Sequence, residues 1–354
     1  IRDRHRNWLR NIQMISPISF GTRLVGQGYP VFVIAEAGGN HNGDREMALE
    51  LVRAAHECGA DAVKFQTFKA EDIVTMNAPK AAYQLEGTDG AESQIEMLRK
   101  IELPEDSYED LMGLCDEIGI EFLSTAYNFR DVDFLMQKRV NAIKIASGQM
   151  VETPFLEYAS RAGVPLIVST GMCSMEEVRE GIGAIRGAGN PPVIMLQCTT
   201  NYPSAVDDAN LRAMVTLENE LEVLVGYSDH TETDHTALAS VALGAAAIEK
   251  HFTLDKMLPG PDHTSSCDPS DLTILIEGIR AIEAALGSGH KVPTERESRN
   301  IRGMRRSVVS LRPIAAGQEI TREVLGFKRP ATGIAPRRLM EVVGCKARVD
   351  IPAD

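Results

Sequence analysis

Short, almost continuously apolar runs alternate with longer amphipathic ones along most of this 354-residue chain. The apolar runs are Val31–Ala35, Ala62–Phe65, Glu121–Ser124, Ala142–Ile145, Leu166–Ser169, Val193–Gln197, Val223–Val225 and Ala245–Glu249. Such runs lack polar alternation, which predicts strands buried on both faces. Between them the apolar spacing predicts helices. Asp44–Cys58 sets Met47, Leu51, Ala54 and Ala55 on one face at intervals of three and four. Ser174 with Glu177 three residues on reads as a capping box opening a helix to Arg186. Pro104–Ile118, Phe129–Lys138, Pro154–Ala162, Asp208–Glu218, Thr233–Leu243 and Pro269–Ala285 complete the set.

Eight strands alternating with eight helices predict an α/β chain folded as a (β/α)8 TIM barrel over residues 17–286. A doubly wound open sheet is the competing architecture. It usually has fewer strands, and no G-x-G-x-x-G follows the first strand here. Residues 287–303 are polar and charged, with Gly, Pro and Ser, and read as a linker. Residues 304–354 read as a small β-rich domain with short pieces at Ser307–Leu311 and Val324–Lys328. A module that small is marginal alone and is expected to lean on another surface.

Charge narrows the partners. Asp and Glu total 50 against 37 Lys and Arg, a net charge of −13. Nucleic acid and anionic membrane surfaces need basic patches, so neither is an expected partner. No apolar run approaches the roughly 20 residues of a membrane span. The start carries four arginines in Ile1–Arg10 and no apolar stretch of a secretory signal, so a cytoplasmic location is expected. The six cysteines are widely spaced with no C-x-x-C, which fits reduced thiols rather than a zinc site or disulfide framework.

In a barrel the chemistry belongs at the carboxyl ends of the strands. Here those ends carry Glu36, Lys64 with Gln66, Ser124-Thr125, Lys144 with Ser147, Ser169-Thr170, Cys198-Thr199-Thr200, Ser228-Asp229-His230 and Glu249-Lys250-His251. Lys64 and Lys144, with the hydroxyls of Ser147, Ser169 and Ser228, suit a phosphate. His230 and His251 end sequential strands, and two inward imidazoles there suit a divalent metal, with Glu36 or Asp262 completing or supporting the shell. Plainer readings stand beside these. Either histidine alone is more often a hydrogen-bonded structural residue, Glu36 can cap a turn, Asn40–Gly43 can be only a turn, and Cys198 reads as packing. A metal-dependent hydrolase using His230, His251 and Glu36 is a second functional reading. Such barrels usually show His-x-His after the first strand, where this chain has Asn40-His41-Asn42.

Taken in order, several motifs resemble one family. They are Ile34-Ala-Glu-Ala-Gly-Gly-Asn-His-Asn-Gly43, Val63-Lys-Phe-Gln66, Lys144-Ile-Ala-Ser-Gly148, Ser169-Thr-Gly-Met172, Gly226-Tyr-Ser-Asp-His-Thr231, Glu249-Lys-His-Phe-Thr253 and Pro259-Gly-Pro-Asp262. The set resembles the N-acetylneuraminate (sialic acid) synthase family. The tail, with Arg305-Arg-Ser307, Phe327-Lys-Arg-Pro330 and Thr332-Gly-Ile334, resembles that family's antifreeze-like (SAF) domain. The resemblance implies a transferase that condenses phosphoenolpyruvate with an open-chain N-acyl amino sugar, releasing phosphate and a nine-carbon keto acid. It implies a divalent metal, Mn2+ or Mg2+, held by His230 and His251, with Glu36 beside it. Lys64, Lys144, Ser147, Ser169, Ser228 and Thr125 are the implied phosphoenolpyruvate contacts. Asp262 and Gln66 are the implied partners of sugar hydroxyls, and Tyr202 lines the pocket.

The family's small domain closes the barrel of a partner subunit, so a domain-swapped homodimer is expected, with Arg329 reaching the acyl group. Gln149 stands near the substrates, where the family commonly has an acidic residue, and Thr200 where an asparagine often lies. These departures keep two acceptors in view. One is N-acetylmannosamine; the other is a 6-deoxy diacetamido sugar leading to legionaminic or pseudaminic acid. A non-enzymatic carbohydrate- or ice-binding role for the small domain leaves the polar strand ends unexplained.

Overall fold

A computed structural model describes residues 15–81 and 92–354. The arginine-rich start lies outside them. The chain divides into two compact units, Ile1–Gly287 and Ser288–Asp354.

The first unit opens with a hairpin of β1 (Ile18–Phe20) and β2 (Arg23–Val25), which the sequence pattern did not single out. Eight parallel strands follow: β3 (Phe32–Gly38), β4 (Ala62–Thr67), β5 (Glu121–Ala126), β6 (Ile143–Ile145), β7 (Leu166–Ser169), β8 (Val193–Cys198), β9 (Leu224–Asp229) and β10 (Ala247–His251). They close into a barrel in sequence order, β10 returning to pair with β3, so the TIM-barrel expectation holds.

Helices cover the outside: α1 (Arg45–Glu57), then α2 (Ala70–Ile73), α3 (Gln94–Lys100) and α4 (Ser107–Ile118) between β4 and β5. After them come α5 (Phe129–Gln137), α6 (Thr153–Ser160), α7 (Met175–Ala188), α8 (Arg212–Leu221), α9 (His235–Ala242) and α10 (Pro269–Leu286). The expected capping box is present at the start of α7, with Ser174 and Glu177 each accepting from the other's backbone N–H. The short helices α2 and α3 were not expected. They matter because they build one wall of the cavity described below.

Strand side chains alternate in direction, so each barrel strand feeds two cores. Outward residues such as Val33, Val63, Phe122, Ile143, Val168 and Met195 pack beneath the helices. Inward residues Phe32, Ile34, Ala62, Leu123, Ala142, Ile167, Ile194 and Leu224 fill the lower barrel. The hairpin plugs that end, with Phe20 stacked on Phe32 at a ring-centroid separation of 5.2 Å. Asp61, at the amino end of β4, ties the same end together. Its Oδ2 accepts from the Val33 N–H and from Arg280 on α10, both at 2.9 Å.

The second unit contains α11 (Glu295–Met304), which begins in the stretch read as a linker and ends one residue past it. Thr294 caps it in a box with Glu297. An antiparallel pair, β11 (Ser307–Ser310) and β12 (Leu325–Lys328), follows with a small core of Ile314, Ile320, Val324, Leu325 and Ala347.

Candidate active site

The alternation that fills the lower barrel with apolar groups brings polar ones to its upper layer. Two residues beyond Ile34 is Glu36; beyond Ala62 come Lys64 and Gln66; beyond Leu123, Thr125; beyond Ala142, Lys144; beyond Ile167, Ser169. On the remaining strands Cys198, Ser228, Glu249 and His251 also face inward. All ten line one cavity of about 260 Å³ at the carboxyl ends of the strands. Ser147, Tyr202, His230 and Asp262 join them from the segments that follow the strands.

The floor of this cavity is a buried cluster of two carboxylates and two ammonium groups. Lys144 Nζ lies 3.2 Å from Glu249 Oε1, and Lys64 Nζ lies 3.7 Å from Glu249 Oε2. Lys64 is also ion-paired with Glu36 and donates to Thr125 Oγ1 at 3.1 Å. Gln66 Nε2 donates to Glu36 Oε1 at 3.0 Å, and Ser228 Oγ to Glu249 Oε1 at 2.9 Å. Gly38 makes room for this arrangement. It sits at φ +52° beside a register shift in β3, and a Cβ there would come within 3.3 Å of both Gln66 Nε2 and Glu36 Oε1.

Burial treats the two acids differently. Burial raises the Glu36 carboxyl, with Lys64 opposing and Glu249 adding to the rise. Burial also works against the Glu249 charge, but Lys144 and Lys64 outweigh it and hold that carboxyl at about 2. Burial lowers the Lys144 ammonium, against the pull of Glu249. Lone buried charges are costly, whereas a paired set with hydrogen bonds persists and keeps strong fields in a dry site.

Above the cluster stand two imidazoles. The rings of His230 and His251 are 5.4 Å apart, and Tyr202 lies 4.2 Å from the first and 5.4 Å from the second. Burial pushes both histidines below their usual value, His251 well below, with His230 and Lys64 adding to that fall. They are therefore neutral at pH 7. His230 Nδ1 is 2.6 Å from the Thr199 carbonyl, which fixes it as the N–H and leaves Nε2 as a base. Neutral imidazoles, one of them anchored through its Nδ1, fit a divalent cation. Among the described residues no group of three or more His, Cys, Asp or Glu forms a cation cage. The donor set is thus a pair, which leaves the other coordination positions to water and substrate.

Of the residues singled out from sequence, Glu36, Lys64, Gln66, Thr125, Lys144, Ser147, Ser169, Tyr202, Ser228, His230, His251 and Asp262 share this cavity. Burial, reinforced by Glu36, raises the Asp262 carboxyl to about 6. Ser169 Oγ is buried without a hydrogen-bond partner among the described residues, ready for one from a ligand. Gln149 lies in a turn of 3-10 helix, Ser147–Val151, and does not line the cavity. Arg329 is exposed in the second unit, where its Nε donates to the Met304 carbonyl. His41 is buried away from the cavity, accepting from the Gly43 N–H, and burial lowers it to about 4. Glu249 was passed over in favour of the strand-ending His251. Its place two residues before that histidine, on the same face of the strand, was the available signal.

Another wall is mostly apolar, with Gln94 its polar member. Phe68, Ile73, Val74, Met97, Leu98 and Ile101 face the cavity from the connection that holds α2 and α3.

A closed parallel barrel with charged, hydrogen-bonding and imidazole groups gathered at the carboxyl ends of its strands defines a TIM-barrel enzyme. Comparison with known proteins makes this specific. Residues 51–291 match the NeuB family and residues 305–354 the SAF domain, and the chain belongs to the NeuB family. It is 43% identical over 337 residues to the N,N'-diacetyllegionaminic acid synthase of Legionella pneumophila, covering 94% of this chain and 95% of that one. It is 41% identical to the synthase of the same name from Campylobacter jejuni, covering 88% of this chain and 94% of that one. A crystal structure of N-acetylneuraminic acid (sialic acid) synthetase from Leptospira borgpetersenii, in complex with citrate, superposes with a TM-score of 0.73 at 31% identity. That superposition covers 82% of this chain and 97% of the other.

Proposed function

We propose that this protein is a nonulosonic acid synthase that joins phosphoenolpyruvate to an open-chain N-acyl amino sugar, giving a nine-carbon keto acid and phosphate. The observation that carries the reading is the buried Glu36–Lys64–Lys144–Glu249 cluster beneath the neutral His230–His251 pair. Lys64 and Lys144, with Ser147, Ser169, Ser228 and Thr125, bind the phosphate and carboxylate of phosphoenolpyruvate. The enol carbon attacks the sugar aldehyde, and positive charge develops at the phosphate-bearing carbon. Water adds there, and the tetrahedral intermediate loses phosphate by C–O cleavage. Glu36, ion-paired with Lys64 and accepting from Gln66, takes the proton of the adding water and passes it to the nascent alkoxide. Glu249 keeps its negative charge and holds the two ammonium groups in place.

His230 and His251 would hold a divalent cation, manganese or magnesium, which supplies Lewis-acid polarisation of the aldehyde. Gln66 and Asp262 bind sugar hydroxyls, and Tyr202 packs against the sugar. Between the two acceptors, the apolar wall favours a 6-deoxy diacetamido sugar over N-acetylmannosamine. A C-methyl group and two acetyl methyls can be buried against Phe68, Ile73, Val74, Met97, Leu98 and Ile101. The 43% and 41% identity to two diacetyllegionaminic acid synthases points the same way.

The reading extends to a barrel domain at 17–286 and a small domain at 304–354. It also extends to a homodimer in which the small domain closes the partner's barrel, bringing Arg329 to the acyl group. No helix among the described residues is long and apolar enough to cross a membrane, which is compatible with a cytoplasmic enzyme. The metal-dependent hydrolase reading leaves the two buried lysines without a task.

The test is isotopic. With oxygen-18 in the bridging position of phosphoenolpyruvate, the label must leave in phosphate. Label retained in the keto acid means P–O cleavage and overturns the mechanism.

A further inference from the structure

Ser228-Asp229-His230 and Glu249-Lys250-His251 run side by side at the ends of β9 and β10, and the register pairs Ser228 with Glu249 and Asp229 with Lys250. The first couple faces the cavity. Alternation turns the second couple to the other side of the barrel wall, beneath the helices. There Lys250 Nζ donates to Asp229 Oδ2 at 2.8 Å, with both side chains buried. The third couple is the imidazole pair.

Lys250 makes two more hydrogen bonds, to the carbonyls of Thr231 at 2.6 Å and Thr233 at 3.3 Å. One ammonium, carried by the residue next to His251, therefore grips residues on both sides of His230. Asp229 closes the loop. Its Oδ1 accepts from the Thr231 N–H and hydroxyl, each at 2.9 Å, and from the Thr236 hydroxyl at 3.1 Å. A buried ion pair is a poor device for stability alone, since apolar residues of similar volume often serve as well. What apolar residues cannot do is fix two carbonyls and a backbone N–H in direction.

We propose that Asp229 and Lys250 are positioning residues: a buried clamp that sets the separation of the His230 and His251 imidazoles for a divalent cation. The proposal rests on the reading of that histidine pair as the cation site.

The experiment uses the full chain, stripped with a chelator and titrated calorimetrically with manganese(II) ions. Imidazole 15N–1H spectra of the metal-free protein are recorded alongside. Lys250→Met and Asp229→Asn are compared with Asp61→Asn, which disturbs the opposite end of the barrel. A clamp predicts that Lys250→Met weakens manganese binding tenfold or more and moves the His230 and His251 ring signals. Asp61→Asn, at a similar loss of melting temperature, stays within twofold and leaves those signals in place. Where Lys250→Met does not fold, Asp229→Asn carries the comparison. Folded variants that bind within twofold of the parent, with unmoved ring signals, overturn the proposal. A parent that binds no manganese overturns the cation reading instead. The metal-free ring signals then still decide the clamp: moved in Lys250→Met but not in Asp61→Asn they sustain it, and unmoved they overturn it.

Discussion

Lys144 on β6 and Glu249 on β10 come from well-separated strands of the barrel and meet within it, Nζ to Oε1 at 3.2 Å. Their meeting makes Glu249 the counter-charge of the whole site, because Lys64 approaches the other oxygen of the same carboxylate. Glu249→Gln leaves two buried ammonium groups with Glu36 as their remaining acid. Breaking a buried pair costs about 3–5 kcal/mol, so the variant should lose that much in urea unfolding. It should also lose most of its turnover.

Lys144 has the complementary test. Lys144→Met removes a positive charge from the proposed phosphoenolpyruvate site and leaves the sugar contacts alone. Steady-state kinetics should show KM for phosphoenolpyruvate rising tenfold or more, with KM for the sugar changing less than threefold. Equal rises in both would place Lys144 elsewhere in the reaction.

Asp262 sets a pH limb. Its carboxyl is raised to about 6, so in the free enzyme it ionises only as pH climbs through that value. A carboxylate that accepts from sugar hydroxyls must be ionised. The kcat/KM for the sugar should therefore rise with pH up to about 6 and then level, and Asp262→Asn should lose that limb. The same shift has a stability consequence of opposite sense. The folded state holds this proton more tightly than the unfolded chain, whose value is near 3.8. Ionisation thus opposes folding, and the Asp262 contribution falls between about pH 4 and pH 6. Asp262→Asn should flatten that part of the stability profile.

Asp61 separates stability from catalysis. It anchors Arg280 and the start of β3 at the plugged end of the barrel, away from the cavity. Asp61→Asn should cost about 1–3 kcal/mol by thermal or urea unfolding, with kcat at permissive temperature within twofold of the parent. Barrels separate these functions by end.

Much of this was legible in the sequence, for physical reasons that can be named. Strands such as Leu166–Ser169 and Val193–Cys198 are buried on both faces, so their apolar runs stand out against amphipathic helices. The cavity residues at strand ends followed from that reading. Glu249 did not, because a strand-end reading favours the last residue over the one two before it. The hairpin strands Ile18–Phe20 and Arg23–Val25 are three residues each, too short for a period to show. Helices α2 and α3 are similarly brief, so the apolar wall they build was invisible until Ile73 and Met97 were seen facing one cavity. For α11, Thr294 and Glu297 spelled a capping box, but the Gly, Pro and Ser around it favoured a linker.

The decisive measurement is phosphate release from phosphoenolpyruvate by chelator-treated, manganese-reloaded protein. It is made with a 6-deoxy diacetamido sugar, with N-acetylmannosamine, and with no sugar, and products are weighed by mass spectrometry. The predicted result is metal-dependent release only when sugar is present, faster with the diacetamido sugar, with a product heavier than that sugar by one pyruvate unit. Release that needs no sugar, or none with either sugar from folded, metal-loaded protein, would contradict it.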